Sequence, residues 1–224
     1  MIKMSNICKT YLGKGVKTKV LEGIDLTIDE GEFVCIYGPS GCGKTTLLNI
    51  IGLMDSYTDG NYNFNGIEID KKEDKGFNKL RNSEFGYIFQ DFNLIPDLNV
   101  LENVCVPMGY AGVGKKVREN RAKELLNDVG MIERAKYFPI QLSGGEKQRI
   151  AIARALSNKP KVILADEPTG SLDQKNGLKI MEILKELNRQ GKTIIMVTHD
   201  QELSRYATKI IKIVDGKITD KLTE

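Results

Sequence analysis

Two hydrophobic periodicities take turns along this chain. Ile24, Leu26 and Ile28 interleave with Asp25, Thr27 and Asp29, and the stretch from Tyr62 to Ile69 alternates in the same way around Gly66. A period of two puts the apolar side chains on one face of a half-buried strand, so the first third of the chain reads as rich in antiparallel strand. Three further runs are continuously apolar instead: Phe33 to Tyr37, Val162 to Ala165, and Thr193 to Val197. Runs this short and this apolar suit parallel strands covered on both faces. Between the last two, Ile180, Met181, Ile183, Leu184 and Leu187 recur at helical spacing, with Glu182, Lys185, Glu186 and Arg189 filling the opposite face. Lys115 to Asn127 has the same form, with Ala122, Leu125 and Leu126 as its apolar side. Strand, helix, strand order predicts an α/β fold with right-handed crossovers. The polar run Asp70 to Glu84 reads as a solvated loop and a surface helix.

Composition narrows the classes. A chain of 224 residues is long enough for one to two domains at about 150 residues each, and buries a core without a disulfide staple. Lys and Arg number 33 against 30 Asp and Glu, a net charge of +3, which is not the clustered basic excess of a nucleic-acid binder. The longest apolar run, Phe33 to Tyr37, falls far short of the ~20 residues that a membrane-spanning helix needs. Met1 to Asn6 carries no apolar core or small-residue cleavage site of a secretory signal, so a cytosolic chain is expected. Cys8, Cys35, Cys42 and Cys105 show no C-x-x-C spacing, which favours free thiols over a disulfide framework or a zinc site. No repeat or low-complexity tract divides the chain.

The first buried run leads into Gly38-Pro39-Ser40-Gly41-Cys42-Gly43-Lys44-Thr45, followed by Thr46 and the helix-like Leu47-Leu48-Asn49-Ile50-Ile51. This is G-x-x-x-x-G-K-[ST] in its strand-to-helix setting. Glycines let the backbone curl so that successive N–H groups point at phosphate oxygens, and the helix N-terminus adds partial positive charge. Lys44 then reaches the β- and γ-phosphates of a nucleoside triphosphate, and the Thr45 hydroxyl ligates Mg²⁺. Val162 to Ala165 runs directly into Asp166 and Glu167. Asp166 is placed to hold Mg²⁺ through its water shell and Glu167 to act as general base on an attacking water, although carboxylates at strand ends also cap following helices. His199, the single histidine, follows the buried run Thr193 to Val197 after one residue. Parallel strands present functional groups at their carboxyl ends, where Gly38, Asp166 and His199 would converge.

Many nucleotide hydrolases share those features. The deciding segment is Leu142-Ser143-Gly144-Gly145-Glu146-Lys147-Gln148-Arg149, with Ile150 to Leu156 continuing as a helix with small residues on one face. Ser143, Gly144 and Gly145 open that helix and offer a hydroxyl and backbone N–H groups to an anion, a second phosphate cradle in one chain. This segment resembles the signature sequence of ABC ATPases. The resemblance runs over essentially the whole chain: Tyr11 resembles the A-loop aromatic that stacks on adenine, Gln90 the Q-loop glutamine, Ser171-Leu172-Asp173 the D-loop, and His199 the switch histidine. On residues alone, Tyr11 also reads as a packed aromatic at a strand end, and Gln90 as a residue that merely closes the strand Phe85 to Phe89.

The resemblance implies a P-loop NTPase core of RecA-like type with a parallel sheet, an N-terminal antiparallel β subdomain and an α-helical subdomain. It places residues 1–90 and 158–224 in the core and 91–157, signature included, in the helical part. It implies an ATPase using ATP and Mg²⁺, with Lys44, Gln90, Glu167 and His199 in catalysis and Thr45, Gln90 and Asp166 at the metal. Tyr11, Gly38, Ser40, Gly41, Cys42, Gly43, Lys44, Thr45, Thr46, Ser143, Gly144, Gly145 and Asp173 are implied to bind the nucleotide. In the family, two subunits pack head to tail with each ATP between one P-loop and the other subunit's signature, and a separate integral membrane permease is driven from the cytoplasmic face. Gly86 to Pro96 and Asp166 to Asp173 look most like the macrolide-exporter, lipoprotein-release and antimicrobial-peptide-resistance subgroup. An alternative within the family is a cell-division type of ATPase that regulates a cell-wall hydrolase through a membrane partner. A chromosome-maintenance ATPase would need a long coiled coil between Lys44 and Ser143, for which the sequence has no room.

Overall fold

The computed structural model describes residues 1–13, 15–70 and 77–223. In chain order its elements are strands β1 (Ile2–Leu12), β2 (Lys17–Ile28) and β3 (Phe33–Tyr37), helix α1 (Lys44–Ile51), strands β4 (Asp59–Phe64) and β5 (Ile67–Glu68), helix α2 (Asn78–Glu84), strand β6 (Phe85–Ile88), helices α3 (Val100–Tyr110), α4 (Lys115–Asp128) and α5 (Gly144–Ala155), strand β7 (Val162–Asp166), helix α6 (Gln174–Arg189), and strands β8 (Thr193–Thr198), β9 (Lys209–Val214) and β10 (Lys217–Thr223). They form two compact units, Met1–Arg81 with Asn188–Glu224, and Asn82–Leu187.

The first unit holds the alternating strands. β2, β1, β4 and β5 lie in that order, antiparallel throughout, and the inward set Ile24, Leu26 and Ile28 meets Ile7, Met4 and Ile2 across the ladder. β1 itself escaped the periodicity. Its register shifts between Met4 and Ile7 and again between Ile7 and Lys9, with Asn6 at φ 51°, so the buried positions fall out of step with a period of two. In the same unit β10, β9, β3 and β8 are neighbours in that order, with β3 parallel to both β9 and β8 and buried from Phe33 to Ile36. α1 packs beside β8 and buries Leu47, Leu48, Ile50 and Ile51.

In the second unit β6 and β7 pair in parallel from Phe85 opposite Val162 to Ile88 opposite Ala165. α5 packs on β6, and α3, α4 and α5 pack on one another through Val100, Val104, Met108, Ala122, Leu125, Leu126 and the Ile150–Ala153 face. The expected helices are α4 and α6. The expected surface helix of the polar run is α2, none of whose residues is buried, while the loop expected before it, residues 71–76, lies outside the described residues. α3 carries no clean amphipathic signature because Pro107 interrupts it and the polar Asn103 sits on its buried face. Asn103 is there for its hydrogen bonds: it accepts from the Ile95 N–H and donates to the carbonyls of Ile95, Leu98 and Asn99, which fixes the turn that leads into the helix.

The fold class is thus as expected: α/β, with parallel strands, an antiparallel β part and a set of helices. All four cysteines are free thiols. Among the described residues no helix is long and apolar enough to cross a membrane.

Candidate active site

The phosphate loop joins β3 to α1, and its shape follows from two glycines. A Cβ on Gly38 would lie 2.1 Å from the Ile213 carbonyl oxygen, so β9 passes where any other side chain would begin. Gly43 sits at φ 101° as the N-cap of α1, a conformation that costs a residue with a Cβ dearly. Being glycine, it caps the helix with no side chain, and no acidic residue occupies the first turn. The N-terminal end of α1 therefore keeps its partial positive charge. Beneath it, Lys44 is only 6% exposed, and its ammonium donates to the carbonyls of Gly38 and Pro39 at 2.9 Å each. A buried cation whose partners are neutral carbonyls, under a helix end with no side-chain cap, gives this loop a positive charge that favours an anion.

His199 belongs to the same unit. Tyr37 pairs with Thr198 in the parallel β3–β8 ladder, so the residues that follow, Gly38 and His199, leave adjacent strands at the same end. His199 is exposed there, and the Asp200 N–H donates to the Thr198 hydroxyl at 3.0 Å, closing the turn behind it.

Tyr11, near the end of β1, is held by two residues that the sequence did not single out. Its hydroxyl donates to Asp55 Oδ2 at 2.6 Å, and Lys9 Nζ lies 4.7 Å from its ring centroid. Lys9 is itself buried, with bonds of 2.6 Å to Asp55 Oδ1 and 2.5 Å to the Ser56 carbonyl. Burial pushes the Asp55 carboxyl up, but the hydrogen bonds from Lys9 and Tyr11, the Lys9 charge and the Ser56 N–H outweigh it and leave Asp55 below its ordinary value. The Tyr11 hydroxyl is raised, first by burial and then by Asp55, while a hydrogen bond from Thr46 acts the other way. The phenol therefore stays neutral beside the first turn of α1, with a cation on one ring face.

The second unit carries the other half of the predicted set. Asp166 ends β7 and Glu167 follows at φ 45°, a left-handed conformation, in a turn closed by the Gly170 N–H donating to the Glu167 carbonyl at 3.0 Å. The ends of Glu167 and Gln90 come together over Gly170, where a Cβ would sit 3.2 Å from Gln90 Nε2 and 3.3 Å from Glu167 Oε2. The Ser171 hydroxyl donates to the Gln90 carbonyl at 3.3 Å, tying the predicted D-loop to the predicted Q-loop. Asp173 is occupied as a cap: its carboxylate accepts from the Asn176 N–H at 3.0 Å and the Asn176 amide at 2.6 Å, bonds that hold it below the ordinary aspartate value.

Ser143 opens α5 in a capping box with Glu146. Its hydroxyl and N–H both donate to Glu146 Oε2 at 2.9 Å, and Arg134 pairs with Glu146 Oε1 at 3.2 Å. The Ser143 backbone and hydroxyl, with Arg134 behind, keep Glu146 ionised below its ordinary range. Gly144 packs against Leu172 and Phe92, so the signature, the D-loop and the segment after Gln90 are neighbours within this unit.

Thr45, Gln90 and Asp166 offer a hydroxyl, an amide and a carboxylate, hard oxygen donors of the kind Mg²⁺ takes. Among the described residues there is no group of three or more His, Cys, Asp and Glu able to hold a metal ion. Donors of this chemistry suit Mg²⁺, which binds through one or two protein groups and fills the rest of its shell with water and substrate phosphate.

Comparison with known proteins agrees with this architecture. The family model described as "ABC transporter" matches residues 21–170. An ABC transporter ATP-binding protein of Methanocaldococcus jannaschii is 52% identical over 98% of both chains, and the Bacillus subtilis ABC transporter ATP-binding protein YvrO is 49% identical over 97% of this chain and 95% of that one. The macrolide export ATP-binding/permease protein MacB of Wolinella succinogenes is 47% identical over 99% of this chain, which spans 34% of the MacB chain. The dimeric post-hydrolysis structure of the ATP-binding cassette MJ0796 bound to ADP and Pi superposes with a TM-score of 0.92 at 43% identity, covering 100% of this chain and 98% of that one. Anion loop, strand-end histidine, signature helix and these likenesses together make the chain a member of the ABC transporter ATP-binding family, and an ATPase.

Proposed function

We propose that the chain hydrolyses ATP as one of two identical subunits that close head to tail on Mg-ATP, and that this closure drives an integral membrane permease from the cytoplasmic face. The observation that carries the reading is the buried Lys44, its ammonium bonded to the neutral carbonyls of Gly38 and Pro39 beneath a helix end that no side chain caps. In this reading Gly38, Ser40, Gly41, Cys42, Gly43 and Thr46 supply the loop that wraps the phosphates, and Lys44 pairs with the β- and γ-phosphates. Tyr11 stacks on the adenine with the ring face that Lys9 leaves open. Thr45, Asp166 and Gln90 would hold Mg²⁺, which would neutralise phosphate charge. Glu167 accepts the proton of the attacking water, and His199 donates to the γ-phosphate and keeps the water in line. Ser143, Gly144 and Gly145 of the second copy complete the γ-phosphate contacts, with Asp173 at the same boundary.

The dimer is supported by the dimeric state of the MJ0796 cassettes, and the permease by MacB, whose name joins ATP-binding and permease functions in one chain. The permease is read as a separate chain, docked beside Gln90 on the region from Asp91 to Asn103 and the helices that follow up to about Gln141. The permease is read as part of an exporter or force-transmitting system for peptides, lipoproteins or antimicrobials; the name of MacB, a macrolide export protein, supports export. Glu167→Gln tests the reading. It keeps the side-chain shape and removes the base, so ATP binding should persist while phosphate release falls by about 10²–10⁴-fold and an ATP-dependent dimer accumulates in size-exclusion chromatography. Normal turnover by this variant would remove Glu167 from its role.

A further inference from the structure

Gln148 is a buried polar side chain with no part in the nucleotide contacts above. On α5 a little more than one turn beyond Ser143, it is 0% exposed. Its amide Nε2 donates to the Pro168 carbonyl at 2.7 Å and reaches the Phe89 carbonyl at 3.5 Å. Pro168 immediately follows Glu167 and Phe89 immediately precedes Gln90. Its Oε1 is buried with no partner among the described residues, which costs about 1–3 kcal/mol that an apolar residue at this place would avoid. Packing alone therefore does not select glutamine here.

The backbone that Gln148 grips needs holding. Glu167 is left-handed and precedes a proline, a combination that L-residues avoid on two counts. Such a conformation persists only where its surroundings over-determine it. The Gly170 turn is one restraint, and the Gln148 bond to Pro168 is the second. Further along the same helix Arg154 does the equivalent for the other loop. Its guanidinium donates to the carbonyls of Phe92, at 2.7 Å, and Asn93, both left-handed residues just after Gln90. α5 thus holds the two catalytic loops of its own chain by side chains on one rigid rod.

We propose that Gln148 is a positioning residue for Glu167 and makes hydrolysis of one nucleotide depend on what the signature of the same chain grips. The proposal rests on the head-to-tail reading above: the Ser143 end of α5 then meets the partner's nucleotide, while Glu167 serves the nucleotide of its own P-loop. A tilt of α5 on engagement moves the Gln148 amide, the Pro168 carbonyl follows, and the carboxylate next to it turns toward or away from the water. The two ATP sites are coupled through the chain that touches both.

The test is Gln148→Met in the full chain, an apolar side chain of similar length that can fill the site and cannot donate. The ATP dependence of phosphate release should change from sigmoidal to hyperbolic and kcat should fall by about 10–100-fold, since misplacement by about 1 Å is worth that much. KM for ATP should stay within about twofold, because Lys44 and Tyr11 are untouched, and Gln148→Met placed on Glu167→Gln should still dimerise on ATP. Gln148→Leu, a shorter apolar side chain equally without a donor, repeats the test if the methionine variant does not fold. Unchanged kcat, a hyperbolic response in the wild-type chain, or kcat and KM worsening together with a lower melting temperature overturns the proposal. Failure of Glu167→Gln alone to dimerise on ATP overturns the head-to-tail reading instead.

Discussion

The Lys9–Asp55 pair lends itself to a double-mutant cycle whose size follows from its geometry. At 2.6 Å two unit charges attract by about 6 kcal/mol for an effective dielectric of ~20. The pair does not keep all of that. Asp55 is 26% exposed against 8% for Lys9, so water screens one partner, and after Lys9 is lost the Tyr11 hydroxyl and the Ser56 N–H still donate to the carboxylate. Fully buried pairs cost about 3–5 kcal/mol when broken and exposed ones are worth about 0–1. A coupling of about 2 kcal/mol lies between, where this geometry belongs. The proteins are wild type, Lys9→Met, Asp55→Asn and the double variant, and the assay is urea unfolding by circular dichroism, since the chain has no tryptophan. The double variant should be less destabilised than the sum of the singles by that amount. Additive singles, with a coupling under ~0.5 kcal/mol, would show that Lys9 and Asp55 stabilise the fold separately and that Tyr11 is not held by a pair.

Two further outcomes are expected. Gly38→Ala puts a methyl 2.1 Å from the Ile213 carbonyl and 2.9 Å from Cys42 Sγ, so the loop must move; overpacking of this kind costs about 1–3 kcal/mol, and affinity for a fluorescent ATP analogue should fall at least about tenfold. Wild-type affinity in that variant would mean that the loop is not the anion site. Asp55 titrates below its ordinary 3.8 in the folded chain, so the native state takes up its proton less readily than the unfolded one. Its stabilisation is then present above pH 3.8 and lost as pH falls through the lower folded value. The difference in melting temperature between wild type and Asp55→Asn should shrink at that acid limit, and a gap that is constant with pH would contradict it.

What the sequence revealed and what it hid have physical causes. β3, β7 and β8 were legible because a strand covered on both faces must be apolar at every position. β1 was not, because its register shifts reset the alternation and bring the polar Lys9 to the buried face. The phosphate loop announced itself through glycines that only a curled backbone needs, and the signature through a serine–glycine helix start. The residues that hold those motifs did not. Asp55 stands 46 positions from Lys9, and nothing local to either predicts the meeting. Gln148 and Arg154 bond to backbone carbonyls, which every residue has, so no complementary side chain marks their partners; burial of a polar side chain is the signal that finds them, and burial is visible only in the fold.

The bare start of α1 also bears on stability. A helix of eight residues is too short to stand alone, and one without a capping side chain gives up about 1 kcal/mol that Ser, Thr, Asp or Asn would supply. If phosphate oxygens receive those N–H groups, the ligand is the cap, and the energy of recognition is the energy that completes a secondary structure. Nucleotide concentration then sets how firmly the first turn of α1 is wound, and with it how firmly the loop from β3 is anchored. Residues elsewhere in the chain need not report whether the site is filled; the hydrogen-exchange protection of one short helix carries that information by itself.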